Sequence, residues 1–131
     1  MLRVAVTLDG DGALRRMRFE GHAGTVPRGR NGPRKGFRIF RDRRGTEAAG
    51  WDPACAAASL LARTVARVVA SRADWIVDGS AAEPGNLFLD VVRRPEDTTE
   101  WLLGVTDTLM GALADIAEEF PGTLSVNVEE A

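Results

Sequence analysis

The sequence predicts an α/β (α+β) sandwich in which a mixed five-stranded sheet carries two helices on one face. Three observations lead to this class. Alternating apolar and polar residues are typical of short strands, and they occur near both ends of the chain and in its second half. Apolar residues recur at helical spacing in two longer stretches. Turn-forming Gly, Pro and Asp separate these stretches, and the predicted order is β-β-α-β-β-α-β.

The first two predicted strands are joined by a tight turn. Residues 2–8 alternate with a period of two, as a half-buried strand does, and residues 9–12 read Asp-Gly-Asp-Gly. Residues 13–20 form the second strand, with Met17 and Phe19 on one side and three charged residues on the other. If this strand continued to residue 22, the side chain of that residue would point to the same side as the charged residues.

The first predicted helix covers residues 53–72. Asp52 is suited to the N-cap, and Pro53 fits the first helical position because the N–H that proline lacks has no intrahelical partner there. The side chains expected to face solvent are Arg63, Arg67 and Arg72. The apolar stripe expected to pack on the sheet consists of Leu61, Val65, Val68 and Val69.

Two strands and a second helix follow. Residues 75–79 and 86–92 are predicted strands separated by a turn at 82–85. After Pro95, Asp97 and Glu100 resemble a capping box that starts a helix. The apolar face of that helix is Trp101, Val105, Leu109, Leu113 and Ile116.

The chain ends in a predicted fifth strand. The second helix stops near Phe120, before Pro121 and Gly122, and residues 124–128 alternate again. With both helices on one side, the other sheet face or an edge needs a cover, which a homodimer would provide.

Length and composition predict one domain. The chain has 131 residues, 44% of them hydrophobic and 27% charged, which suits a single core. We expect a cytoplasmic protein, because the sequence shows no signal-peptide pattern and no apolar run long enough to suggest a membrane contact. One cysteine and one histidine cannot form an intramolecular disulfide or a four-ligand zinc site, so we expect no metal or other cofactor.

A basic insertion lies between the second strand and the first helix, at residues 25–50. Residues 25–47 contain eight basic and two acidic side chains, a net charge of +6, whereas the rest of the chain carries −8. A loop of this length is usually functional or mobile. Three interpretations remain: a solvated loop, a lid over an active site, or a contact with RNA.

The single cysteine, Cys55, falls in the first turn of the first predicted helix. The positive end of the helix dipole favours a thiolate over a thiol there. The single histidine, His22, follows the second strand, and one loop joins it to the cysteine helix. A strand end and a helix N-terminus joined in this way can meet as a Cys–His pair, although each residue is also compatible with a purely structural role.

These two motifs resemble the ribosomal-processing cysteine proteases of bacteria. The resemblance runs through Gly-His-Ala at an early strand end and Gly-x-Asp-x-x-Cys-Ala-Ala-x-Ser at a helix start. The matching residues are Gly21, His22, Ala23, Gly50, Asp52, Cys55, Ala56, Ala57 and Ser59. The chain departs from the family in having Pro53-Ala54 in place of aliphatic residues and a longer loop between the motifs.

The resemblance implies a homodimeric endopeptidase that removes the N-terminal extension of a ribosomal large-subunit protein. His22 would accept the Cys55 proton, and the backbone N–H groups of Cys55 and Ala56 would stabilise the oxyanion. Asp52 is either a helix cap or an orienting group for the histidine, and Ser59 is either a hydrogen-bonding or a packing residue. Gly21 belongs to the same motif.

Two other classes of function remain open. One is a ribosome- or RNA-binding module that uses the basic insertion, with the cysteine as inert packing. The other is a thiol redox switch, in which a readily ionised cysteine is oxidised without any proteolysis.

Overall fold

The computed structural model describes residues 1–21, 53–83 and 86–131. The basic insertion, His22 and Asp52 therefore lie outside the described residues. The strands are β1 (Leu2–Leu8), β2 (Leu14–Glu20), β3 (Ile76–Glu83), β4 (Asn86–Arg93) and β5 (Leu124–Glu130). The helices are α1 (Pro53–Ala70) and α2 (Thr99–Glu119), the latter preceded by a short 3₁₀ turn, Glu96–Thr98. The predicted order of elements is confirmed.

The five strands form one mixed sheet in the order β3-β4-β2-β1-β5. Three neighbouring pairs are antiparallel, and only β1 and β5 run parallel. A parallel pair needs a crossover connection. The chain between β1 and β5 includes both helices, which brings them to one face of the sheet, as the sequence predicts.

Apolar side chains line up across the strands on the face that packs against the helices. Val6 pairs with Met17, and Met17 pairs in turn with Leu89, so these three buried side chains form one row across β1, β2 and β4. Met17 and Val6 are fully buried. Because side chains in a strand alternate between faces, the charged residues between them point to the other side.

Helix α1 packs on the sheet through a face made mainly of alanine. Its buried residues are Ala54, Ala58, Ala62, Val65 and Val69. The predicted stripe is therefore correct for two of its four members. Leu61 is only partly buried, and Val68 is 39% exposed. Alanine contributes little to a hydropathy pattern, so a stripe of larger apolar residues does not reveal this face, yet its small side chain allows the helix to approach the sheet closely.

The length and mean hydropathy of α1 also match those of a membrane-spanning helix, with a mean of 1.3 over 18 residues. It is the one such helix among the described residues. Arg63 and Arg67 are exposed on this helix, while the alanine face lies in the core. This amphipathic arrangement is that of a core helix lying on a sheet.

Helix α2 does not begin with the predicted capping box. Asp97 lies inside the 3₁₀ turn, and the N-cap residue is Thr98, whose hydroxyl donates to the carbonyl of Pro95 at 2.5 Å. The hydroxyl thus closes the preceding turn. The buried face of α2 is Leu102, Thr106, Leu109 and Leu113. The predicted Trp101, Val105 and Ile116 are partly buried at its margin.

Arg94 joins the β1–β2 turn to the start of α2. Its guanidinium donates to Asp9 at 3.2 Å and to the hydroxyl of Thr98 at 3.1 Å. Burial raises the pKa of Asp9, but hydrogen bonds from the backbone N–H groups of Ala13 and Asp11, together with the charge and hydrogen bond of Arg94, outweigh burial and lower it.

Charged side chains occupy the sheet face opposite the helices. Arg16 lies 3.4 Å from Asp90, and Glu20 lies 3.9 Å from Arg3 and 3.8 Å from Arg18. These pairs are partly exposed, so each contributes about 0–1 kcal/mol of stability. Water can therefore solvate this polar face. The homodimer that we expect to cover this face or an edge of the sheet stays a prediction.

Candidate functional site

The candidate nucleophile lies at the N-terminus of α1. The helix begins at Pro53, as the sequence predicts, and Cys55 lies half-buried in its first turn. The first turn contains no acidic residue. The positive end of the helix dipole therefore acts on the Cys55 sulfur without an opposing carboxylate from that turn. The helix dipole is thus the feature of the described residues that favours the thiolate.

Gly21 ends the strand that leads to His22. Its φ is +84°, in the left-handed region that glycine enters without strain. A Cβ at this position would lie 3.1 Å from the backbone oxygen of Met1. Because β2 ends at Glu20, strand alternation does not extend to residue 22, and the predicted orientation of His22 by parity does not apply.

The end of β2 lies close to the N-terminal half of α1. Ser59, one helical turn after Cys55, lines a small cleft together with Phe19 and Leu87. Phe19 is two residues before Gly21. The structure thus brings the helix turn next to Cys55 together with the strand that leads to His22. Ala56 is half-buried beside Cys55, and the roles of Ala56 and Ser59 stay predictions.

A second cleft, of about 210 Å³, lies at the same end of the sheet. The polar and aromatic side chains that line it are Arg18, Phe19, Glu20, Ser80, Asn86 and Phe88. The guanidinium of Arg18 lies 5.6 Å from the centre of the Phe88 ring, a cation–π contact across paired positions of β2 and β4. No local sequence pattern indicates this cluster, because its residues meet only through the register of the strands.

A third cleft, with a volume of about 650 Å³, lies near the other end of α1. Trp75 and Trp101 line it and meet edge to face at 5.5 Å. Arg72, predicted to face solvent, instead lies over the Trp101 ring at 4.3 Å and 5.7 Å from the Trp75 ring. The aromatic lining thus already has a cation against it, and Cys55 is not among the lining residues.

Among the residues that the structure describes, no cluster of three His, Cys, Asp or Glu side chains is suited to a metal ion. At this end of the molecule, the described part contains the Cys55 thiol, the backbone N–H groups of the helix start and the polar side chains of the two clefts.

These observations define the structural class of the protein. The chain is an α+β protein with a helix pair on one face of a mixed sheet and a cysteine in the first turn of the helix that follows the second strand. No protein-family model matches the chain, and no curated protein sequence matches it.

Solved structures do match the chain over nearly its whole length. The essential ribosomal processing protease Prp of S. aureus, in complex with a covalently linked product peptide, has a TM-score of 0.65 at 20% identity, covering 98% of this chain and 100% of that one. The same protease with a substrate peptide gives a TM-score of 0.63 at 15% identity, with the same coverage. SMU.848 of Streptococcus mutans gives 0.63 at 17% identity, covering 100% of this chain and 96% of that one.

The predicted resemblance to ribosomal-processing cysteine proteases is thus confirmed at the level of the fold. At identities of 20% and below, it is the arrangement of the backbone that the proteins share. The activity of this chain is a separate question.

Proposed function

We propose that this chain is a cysteine endopeptidase that removes the N-terminal extension of a ribosomal large-subunit protein. One observation carries the proposal: Cys55 lies in the first turn of α1, within a fold that matches the ribosomal processing protease Prp over 98% of the chain. The Prp structure with a covalently linked product peptide gives the reaction class a precedent on this fold.

In the proposed reaction, His22 takes the proton from the Cys55 sulfur and the thiolate attacks the carbonyl carbon of the scissile peptide bond. A carbon–sulfur bond forms. The C–N bond then breaks as the protonated histidine gives its proton to the leaving amine. Water hydrolyses the thioester, which releases the new carboxylate and restores the thiol.

The local electrostatics of α1 support Cys55 as the nucleophile. The helix N-terminus stabilises negative charge, first on the sulfur and then on the tetrahedral oxyanion. In this proposal the oxyanion donors are backbone N–H groups of the first turn, those of Cys55 and Ala56, at the positive end of the helix. Asp52, by its position before Pro53, acts in this proposal as the cap or as the group that orients His22.

Two clefts lie at the end of the sheet near the candidate nucleophile. The small cleft with Ser59 lies between α1 and the sheet, one helical turn from Cys55, whereas the cleft with Arg18 and Phe88 is lined mainly by side chains of the sheet face opposite the helices. The choice of a ribosomal protein as substrate rests on the motif resemblance and on what the Prp structures are named for. We also propose a cytoplasmic homodimer, which sedimentation at several concentrations would test.

The test is cleavage of the organism's own unprocessed large-subunit protein, followed by intact mass. Wild type is expected to release one defined N-terminal peptide. Cys55→Ala should abolish release, and His22→Ala should reduce the rate by about 100- to 10,000-fold, the usual contribution of general acid–base catalysis. Ser71→Ala is the matched control, because Ser71 is exposed just beyond the far end of α1.

The same experiment separates the alternatives. Cleavage that survives in Cys55→Ala would exclude the proposed nucleophile. If wild type cleaves nothing, but binds RNA with an affinity that falls steeply with salt and is unchanged in Cys55→Ala, the binding module replaces the protease. If an oxidation-dependent activity persists in His22→Ala, the redox switch replaces it.

A further inference from the structure

The two edges of the sheet differ in how regularly their strands pair. At one edge, β3 pairs with β4 through an irregular register, with shifts between Ile76 and Val77 and between Ser80 and Glu83. At the other edge, β5 pairs with β1 in an unbroken register over seven residue pairs. Bulges and irregular pairing are devices that protect an edge from further strand addition. The β3 edge has them and the β5 edge does not.

The hydrogen bonds at the two ends of β5 show which of its backbone groups face outward. The N–H of Leu2 donates to Thr123, and the N–H of Ala131 donates to Leu8. With the two-residue period of a parallel ladder, the odd-numbered residues of β5 bond to β1. The N–H and C=O groups of residues 124, 126, 128 and 130 therefore point away from the sheet. Among the described residues, no strand pairs with them.

The side chains of β5 add an apolar strip beside these groups. Val126 and Val128 pair with Val4 and Val6 and so lie on the same face as those residues, yet they are 36% and 45% exposed, whereas Val4 and Val6 are buried. Neither proline nor lysine, which commonly blunt exposed edges, occurs in β5. We call the outward backbone groups of residues 124–130, with Val126 and Val128, the β5 edge.

The charges carried by β5 and by the helix before it have one sign, while on the adjoining strand Arg3 is paired with Ser125 and lies 3.9 Å from Glu20. From Pro95 to the end of the chain, through α2 and β5, there are nine acidic residues and no Lys, Arg or His. Glu129 and Glu130 lie in the strand itself, and Glu118 and Glu119 end the helix that precedes it; all four are exposed. A strand added here would meet a negative electrostatic potential, which repels an acidic segment and attracts a basic one.

We propose that the β5 edge binds an extended, basic segment of a partner protein by strand addition. The partner's backbone pairs with the outward N–H and C=O groups of β5, its alternate apolar side chains cover Val126 and Val128, and its basic side chains meet Glu129 and Glu130. This binding site is independent of the proposed protease chemistry, because it needs neither Cys55 nor His22.

The test uses the full chain and a capped synthetic peptide in which lysine alternates with valine, with affinity read by fluorescence anisotropy. Val128→Pro removes one outward N–H and leaves the bonds to β1 in place, since proline is tolerated on edge strands. Val128→Thr is the matched control that keeps the N–H. We expect wild type and Val128→Thr to bind, and Val128→Pro to bind about tenfold more weakly.

A charge-reversal variant provides a second test of the proposal, which still applies if Val128→Pro fails to fold. Glu129→Lys with Glu130→Lys should weaken binding severalfold and reduce its dependence on ionic strength. A peptide with glutamate in place of lysine should not bind. If the lysine peptide fails to bind wild type, binds both Val128 variants equally, or binds no better than the glutamate peptide, the proposal is overturned.

Two other occupants would be revealed by the same materials. If wild type sediments as a dimer that Val128→Pro dissociates and the peptide does not, the β5 edge takes a second copy, and the proposal fails. If deleting residues 25–47 raises the peptide affinity tenfold or more, the occupant is the basic segment of this chain, and the proposal of a separate partner fails.

Discussion

Replacing Thr106 by valine would test how α2 is fixed to the sheet. Thr106 is 3% exposed, and its hydroxyl oxygen accepts from the backbone N–H of Leu14 at 2.9 Å while donating to the carbonyl of Leu102 at 2.7 Å. Valine has the same shape but neither accepts nor donates. The Leu14 N–H at the start of β2 is then left buried without a partner, which costs about 1–3 kcal/mol.

Thr108→Val is the internal control for this prediction. The Thr108 hydroxyl also donates to a helix carbonyl, that of Gly104 at 2.8 Å, but it is exposed and the bond is local. We expect the Thr106 variant to lose about 2 kcal/mol of unfolding free energy, or roughly 6 °C in Tm, and the control to change by less than about 0.5 kcal/mol. Urea unfolding followed by tryptophan fluorescence measures both. Equal stabilities of the two variants would refute the argument that the Thr106 bond holds the helix to the strand.

Three further predictions concern other parts of the fold. Gly79→Ala should destabilise by about 1–3 kcal/mol in urea unfolding, because the new Cβ would lie 2.7 Å from the backbone oxygen of Phe88; an unchanged midpoint would contradict the close approach. Asp9→Asn should lower stability at neutral pH, and its difference from wild type should shrink as the pH falls from the ordinary aspartate pKa of 3.8 through the lowered folded pKa of Asp9, because the charged form is then lost in both states; a difference that does not shrink on acidification would refute this. Arg72→Gln should change the emission of Trp101 and lower stability by about 1 kcal/mol, and unchanged emission would show that the contact is absent in solution.

The fold could be predicted from the sequence where local pattern and tertiary packing agree. Met17 and Phe19 alternate with charged residues and are buried, because the solvated opposite face lets the strand keep its alternation. The local sequence pattern and the packing disagree where the size of a side chain or a neighbouring turn determines the structure. Ala58 and Ala62 are fully buried although alanine carries little hydropathic signal, and Asp97 loses the N-cap position to Thr98 because a 3₁₀ turn precedes the helix.

The candidate site, like the fold, has features that the sequence predicts and features that it does not. Cys55 in the first helical turn could be predicted, because Asp52 suits an N-cap and Pro53 fits the first helical position. The contact between Arg18 and Phe88 could not be, because it depends on how β2 and β4 pair across about 70 residues of chain, and pairing register is a long-range property. The meeting of His22 and Cys55 stays a prediction, since His22 lies outside the described residues.

The alanine face of α1 sets the spacing between the candidate nucleophile and the sheet. Buried side chains grow along the helix, from Ala54, Ala58 and Ala62 near Cys55 to Val65 and Val69 at the far end. The smallest buried side chains of α1 therefore lie at the end of the helix that carries Cys55. We expect a larger residue at Ala58 or Ala62, both fully buried in the core, to push this end of the helix away from the sheet and to displace Cys55 with it.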